Sequence, residues 1–161
     1  MYNHAPKTYD CIFCRIVREI AEGKNAFHVF QNNTVSAFMS LHDMPNNPGH
    51  VLVIPNAHYE NIYDLPVALG ADIHACAKEI ALAMKAVYHC DGISLRQHNE
   101  PAGGQDVWHY HLHVFPRYAG DNFSGSRLTV TPEKTRTEYA ARLREHFPSP
   151  HPLSQGERGE G

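Results

Sequence analysis

Residues Gly103 to Tyr118 read GGQDVWHYHLHVFPRY, and the alternation inside this stretch decides the reading of the chain. From Val107 to Phe115 the pattern is that of a strand with one buried face. Successive side chains on a strand point to opposite faces. His109, His111 and His113 therefore share one surface, roughly 7 Å apart, while Tyr110, Leu112 and Val114 turn to the core. An imidazole is a usable nucleophile toward phosphorus when one ring nitrogen keeps its lone pair and the other has its proton held by a hydrogen bond. Taken alone, in a chain with 13 histidines, the run reads equally as a solvated strand face or a fortuitous metal-binding stripe.

Outward from this stretch, Ile93 to His98 is a second strand, joined to the first by the loop Asn99-Glu100-Pro101-Ala102-Gly103-Gly104-Gln105. Upstream, Leu69, Ile73, Ala77, Ile80, Met84 and Val87 recur at three- and four-residue steps, which predicts one long amphipathic helix from Leu65 to Tyr88 with Asp64 as its N-cap. Pro45-Asn46-Asn47-Pro48-Gly49 is a loop by turn chemistry and delivers His50 to the entrance of the apolar run Val51 to Ile54. Ala26 to Phe30 and Val35 to Met39 read as a hairpin around Gln31-Asn32-Asn33. A last helix is predicted from Thr131-Pro132-Glu133 to Phe147, with the Thr131 hydroxyl as cap and Pro132 at its first position.

At 161 residues the chain fits one domain, and 42% hydrophobic with 19% charged residues is the balance of a globular protein. A net charge of −3 gives no field for gripping a nucleic-acid polymer, so any phosphate recognition is local. No stretch reads as a membrane span, and Met1-Tyr2-Asn3-His4 opens no secretion signal, so the expected compartment is the cytoplasm. Cys11 and Cys14 form a CxxC pair suited to metal or redox chemistry. Cys76 and Cys90, on the expected helix, read as core.

The stretch Gly103 to Tyr118 resembles the HxHxH signature of the histidine-triad (HIT) proteins and its glycine-glutamine approach. CIFCRIVREI from Cys11 and PGHVLVIPNAHYENIYDL from Pro48 resemble, in the right order, the start and central strand of bacterial members. The resemblance implies an α+β fold: an antiparallel sheet with one long central helix and a C-terminal helix. It divides the chain into a leader (1–10), a HIT domain (11–125), an extension with a helix (126–147) and a tail (148–161) of disordered composition.

Residue by residue, the resemblance implies that His111 attacks the α-phosphorus of a nucleotide to form a nucleotidyl-imidazole, which water then hydrolyses. His113 and His50 become phosphate-side partners, and Asn99 and Gln105 polar contacts. Gly103 and Gly104 let backbone N–H groups approach the phosphate. In the zinc-bearing branch the ligands correspond to Cys11, Cys14, His58 and His109, a closed two-Cys, two-His site. A homodimer is implied, with a purine nucleotide as substrate: a dinucleoside polyphosphate or a nucleoside phosphoramidate. A nucleotidyltransferase or phosphorylase of the same superfamily, and a zinc-stabilised binding module, stay open as alternatives.

The sequence departs from the family pattern in two places. Asp106 stands where many relatives carry Ser or Thr, and a carboxylate there must be protonated and act as general acid, meet a divalent cation held with the substrate, or turn away. The segment FMSLHDMPNNPGH is about two residues longer than usual, so Ser40, His42 and Asp43 compete for the ribose.

Overall fold

In the computed structural model, which describes residues 2–147, side-chain alternation builds a five-stranded antiparallel sheet in the order β1-β2-β4-β6-β5. Its strands are β1 (His28–Gln31), β2 (Val35–Met39), β4 (Val51–Pro55), β5 (Gly92–Gln97) and β6 (Leu112–Arg117). A two-residue strand β3 (His42–Asp43) pairs separately with β7 (Thr129–Val130). Three helices complete the α+β fold: α1 (Ile12–Ala21), α2 (Val67–Tyr88) and α3 (Glu133–Arg144).

One sheet face carries Val35, Ala37, Met39, Val51, Val53, Leu112 and Val114, and packs on Ile73, Ile80 and Met84 of α2 and on Ala140 and Leu143 of α3. The three large α2 side chains are fully buried, each contributing roughly 1.5–3 kcal/mol by removal from water. The other face has two parts. Phe13 and Ile20 of α1 cover Phe38, Leu52 and Ile54, while His113 and Phe115 lie beyond α1 on β6. The alternation therefore places the histidines on the side away from the long helix.

The β1–β2 hairpin forms as expected, its turn closed by Asn32 Oδ1 accepting from the Thr34 and Val35 amides. Gly49, at φ +97°, lets the loop into β4 pass against Tyr88, whose ring a Cβ would meet at 2.6 Å.

Several expectations are corrected. The long helix starts at Val67 after Pro66, and Asp64 does not cap it. Cys90 follows the helix rather than lying on it, although both Cys76 and Cys90 are in the core. Thr131 does not cap α3, because its hydroxyl donates to the buried carboxylate of Asp43 at 2.9 Å; α3 ends at Arg144. The last strand begins at Leu112 rather than Val107. The Tyr110 amide is taken by the Tyr59 carbonyl at 2.6 Å and His109 sits in a bend, so only His113 of the three is in the ladder. The tail 148–161 lies outside the described residues. Among those residues no helix is long and apolar enough to cross a membrane.

Candidate active site

Each ring of the histidine row has one nitrogen committed to a backbone or ring acceptor, and that commitment fixes what the other nitrogen offers. The Nδ1–H of His111 donates to the carbonyl oxygen of His109 at 2.7 Å. A carbonyl can only accept, so the neutral ring carries its lone pair on Nε2. That nitrogen faces Asp106 Oδ1 at 3.6 Å, an ion-pair distance too long for a hydrogen bond. The Phe13 ring stands edge-on to His111 at 5.3 Å.

His50, fully buried before β4, donates Nδ1–H to the His42 carbonyl at 2.8 Å, so its Nε2 accepts. His113 Nδ1 lies 3.0 Å from that Nε2 and must be the donor, which leaves the His113 lone pair on Nε2. Burial pushes His50 down to about 3, and burial together with the neighbouring imidazoles of His50 and His111 pushes His113 down to about 2. Behind this pair, Asp43 accepts the His50 amide at 2.8 Å and the Thr131 hydroxyl, and burial raises its carboxyl pKa.

The predicted site residues sort into two groups. His50, His111, His113 and Asp106 lie together. Asp43 is turned inward with both oxygens engaged, and Ser40 is buried with its oxygen accepting the His42 amide at 3.2 Å. Gln105 is buried and braces its own loop, donating to the Glu60 carbonyl at 2.6 Å and accepting the Glu100 amide at 2.8 Å. Asn99 accepts the Ile62 amide at 2.8 Å. Gly103 is exposed, and Gly104 takes φ +88° beside His98. Asp106 lies beside His111 with its side chain 82% exposed, and a His111 ring protonated at Nε2 draws its carboxyl down to about 2.

Sequence reasoning passed over Phe13, which spaces His109 from His111, and His98, whose ring lies 5.5 Å from His113 and whose Nδ1 donates to the Gly103 carbonyl at 2.8 Å. His98 was legible only as the last residue of the strand predicted from Ile93, and it lies just past β5, which ends at Gln97. Phe13 lies almost a hundred residues away, on an element whose docking the sequence does not state.

Cys11, Cys14, His58 and His109 converge at the start of α1, with one ligand atom from each all within 4.8 Å of one another. His109 Nδ1 is 3.4 Å from Cys11 Sγ and 3.6 Å from Cys14 Sγ, and His58 Nδ1 is 3.4 Å from Cys14 Sγ. Bond lengths of about 2.3 Å to sulfur and 2.0–2.1 Å to nitrogen give a tetrahedral S–N edge of about 3.5 Å, so the four residues fit a zinc ion. His109 Nε2–H donates to the Pro55 carbonyl at 2.9 Å, which leaves Nδ1 as the ligating nitrogen. Burial holds His109 down near 4, in the neutral form a metal requires.

The family model for the HIT domain matches residues 22–120. The "Protein hit" of Bacillus subtilis is 34% identical over 116 residues, covering 71% of this chain and 76% of the relative. The adenosine 5'-monophosphoramidase of Saccharomyces cerevisiae is 32% identical over 115 residues, covering 70% and 67%. Among solved structures, a Zn-bound histidine triad family protein from Mycobacterium smegmatis superposes with a TM-score of 0.70 at 31% identity, covering 85% of this chain and 92% of that one.

Proposed function

The chain belongs to the HIT domain family, and from that membership we propose that it is a nucleotide hydrolase working at an α-phosphate through a covalent nucleotidyl-His111 intermediate. The observation that carries the reading is the hydrogen bond from His111 Nδ1–H to the His109 carbonyl, because it presents a lone pair on Nε2 beside an exposed loop. His111 Nε2 attacks the α-phosphorus as the bond to the leaving oxygen or nitrogen breaks, and a leaving amine departs neutral with a proton taken from solvent. Water then cleaves the P–N bond, releasing the nucleoside monophosphate and restoring the imidazole.

His113 is the phosphate-side partner: a neutral ring held in place by its Nδ1–H bond to His50, which the His42 carbonyl orients in turn. Gly103 and Gly104 border the phosphate side without a side chain in the way, on a loop that Gln105 and Asn99 brace; their own amides are taken by the Glu100 and Pro101 carbonyls within the turn. Asp106 is ionised and lies near the attacking nitrogen, where it suits a divalent cation carried by a polyphosphate substrate. Ser40 borders the ribose side, while Asp43 serves it indirectly by fixing His50.

Zinc, held by Cys11, Cys14, His58 and His109, supplies a structural tie between α1 and the residue that orients the nucleophile. The substrate is a purine nucleotide, either a phosphoramidate, as in the yeast relative's name, or a dinucleoside polyphosphate. The edge strand β5, with Leu95 exposed, suits pairing with a second copy. Four cysteines, none of them in a disulfide, suit the cytoplasm.

The test is a panel of adenosine phosphoramidate and diadenosine polyphosphates read by product identity. The expected product is AMP with oxygen from solvent water. AMP transferred to phosphate instead would identify a phosphorylase, and binding with no product a nucleotide-binding module.

A further inference from the structure

Residues 2–9 cross the two loops that border the site, and the contact is built from buried groups. The Glu60 carboxylate, only 5% exposed as a residue, accepts the backbone amides of both His4 and Ala5. Asn61 donates to the Tyr2 carbonyl at 3.2 Å and to Asn3 Oδ1 at 2.8 Å. The Tyr9 hydroxyl accepts the Trp108 amide at 3.2 Å, and the His4 ring lies 5.6 Å from the Trp108 ring. This segment is a strap over the stretch from Glu100 to Trp108.

The strap closes on Glu100. One carboxylate oxygen of Glu100 is 3.0 Å from His4 Nε2, and the other accepts the Tyr63 hydroxyl at 2.9 Å. Its backbone stands at φ 61°, ψ 164°, a conformation that glycine adopts freely and a residue with a Cβ adopts at a cost. From there its N–H goes to Gln105 Oε1, and its carbonyl accepts the Gly103 and Gln105 amides, both at 3.1 Å. Glu100 is thus the pivot that aims Gly103, Gly104 and Asp106. A side chain that the local backbone disfavours has both of its oxygens occupied by partners from two other segments.

We propose that Glu100 is a positioning residue: clamped by His4 of the strap and by Tyr63, it holds the Gly103–Asp106 turn in the geometry that receives the substrate phosphate. This rests on the reading that the turn faces the phosphate. The proposal commits the strap to substrate affinity rather than to folding, and the strained backbone makes the two separable.

In Glu100→Gly the strain is relieved and the clamp is lost. The expected result is a melting temperature equal to or above that of the native chain, together with an AMP dissociation constant and a KM for adenosine phosphoramidate raised at least fivefold. The kcat should stay within about twofold. Glu100→Gln, which keeps one oxygen to accept the Tyr63 hydroxyl and turns an amide N–H toward the lone pair of a neutral His4 ring, should keep most of the affinity. His4→Ala should raise KM in the native background and add nothing in Glu100→Gly. A native chain that turns over, with AMP affinity unchanged in Glu100→Gly, overturns the positioning role. So does a melting temperature that falls in step with affinity. Affinity lost in Glu100→Gly, with a native chain that binds AMP but hydrolyses nothing, overturns the reaction and keeps the positioning. A native chain that does not bind AMP overturns both.

Discussion

The carbonyl oxygen that accepts the Nδ1–H of His111 belongs to His109, whose own ring lies in the cysteine-histidine cluster. Two consecutive jobs in one short run are therefore mechanically joined: the backbone of a metal-ligand residue sets the tautomer of the nucleophile. His111→Ala leaves this bend and the cluster intact. Turnover should fall by on the order of a thousandfold or more while the melting temperature changes by only a few degrees. Stopped assays on folded variant protein check this, and near-native turnover would remove His111 from the chemistry.

The buried His50–His113 pair makes stability depend on pH. Above about 6.5 both rings are neutral, folded or unfolded. Below it the unfolded chain takes up protons that the folded chain, with His50 held near 3 and His113 near 2, refuses, so stability falls as pH falls. Each ring contributes up to about 1.4 kcal/mol per pH unit in that window. Urea midpoints at pH 7.5, 6.0 and 5.0 should decline, and less steeply in His113→Asn at equal zinc content. Identical slopes would mean that the pair does not govern the dependence.

Zinc removal should loosen the start of α1 and the bend at His109 together, because the four ligands come from three separate segments. One zinc per chain is expected by metal analysis. Cys11→Ser should lower that content and drop the melting temperature by about 10 °C or more, since a structural site contributes folding free energy directly. Full stability in metal-free protein would contradict the assignment.

Asp106 is an exposed anion close to the nitrogen that meets an anionic substrate. Asp106→Ser should lower the KM for adenosine phosphoramidate two- to fivefold in low salt, a modest change because exposed charges are screened, and the gain should shrink as salt is added. With a diadenosine polyphosphate and magnesium ion the order should reverse. A KM that rises for both substrates would place Asp106 in another role.

The elements and faces were largely legible in the sequence because they rest on periodicity. Leu112 and Val114 turn to α2 and His113 turns away, as strict alternation requires. The fourfold cluster could be named in the sequence only through resemblance, and its geometry then fits a tetrahedron. What was not legible depends on single long-range partners. Thr131 looked like a helix cap until Asp43, 88 positions away in sequence, took its hydroxyl. Strand β6 looked longer until the Tyr59 carbonyl took the Tyr110 amide. Gln105, expected at the substrate, is drawn inward by the Glu60 carbonyl, and nothing local to a polar loop forecasts that choice.

The covalent nucleotidyl-His111 intermediate is tested most directly by the stereochemical course at the α-phosphorus, using a substrate made chiral there by sulfur and oxygen isotopes. Two in-line displacements, the first by His111 Nε2 and the second by water, predict net retention of configuration in the released nucleoside monophosphate. Net inversion would mean a single direct attack by water and would contradict the account.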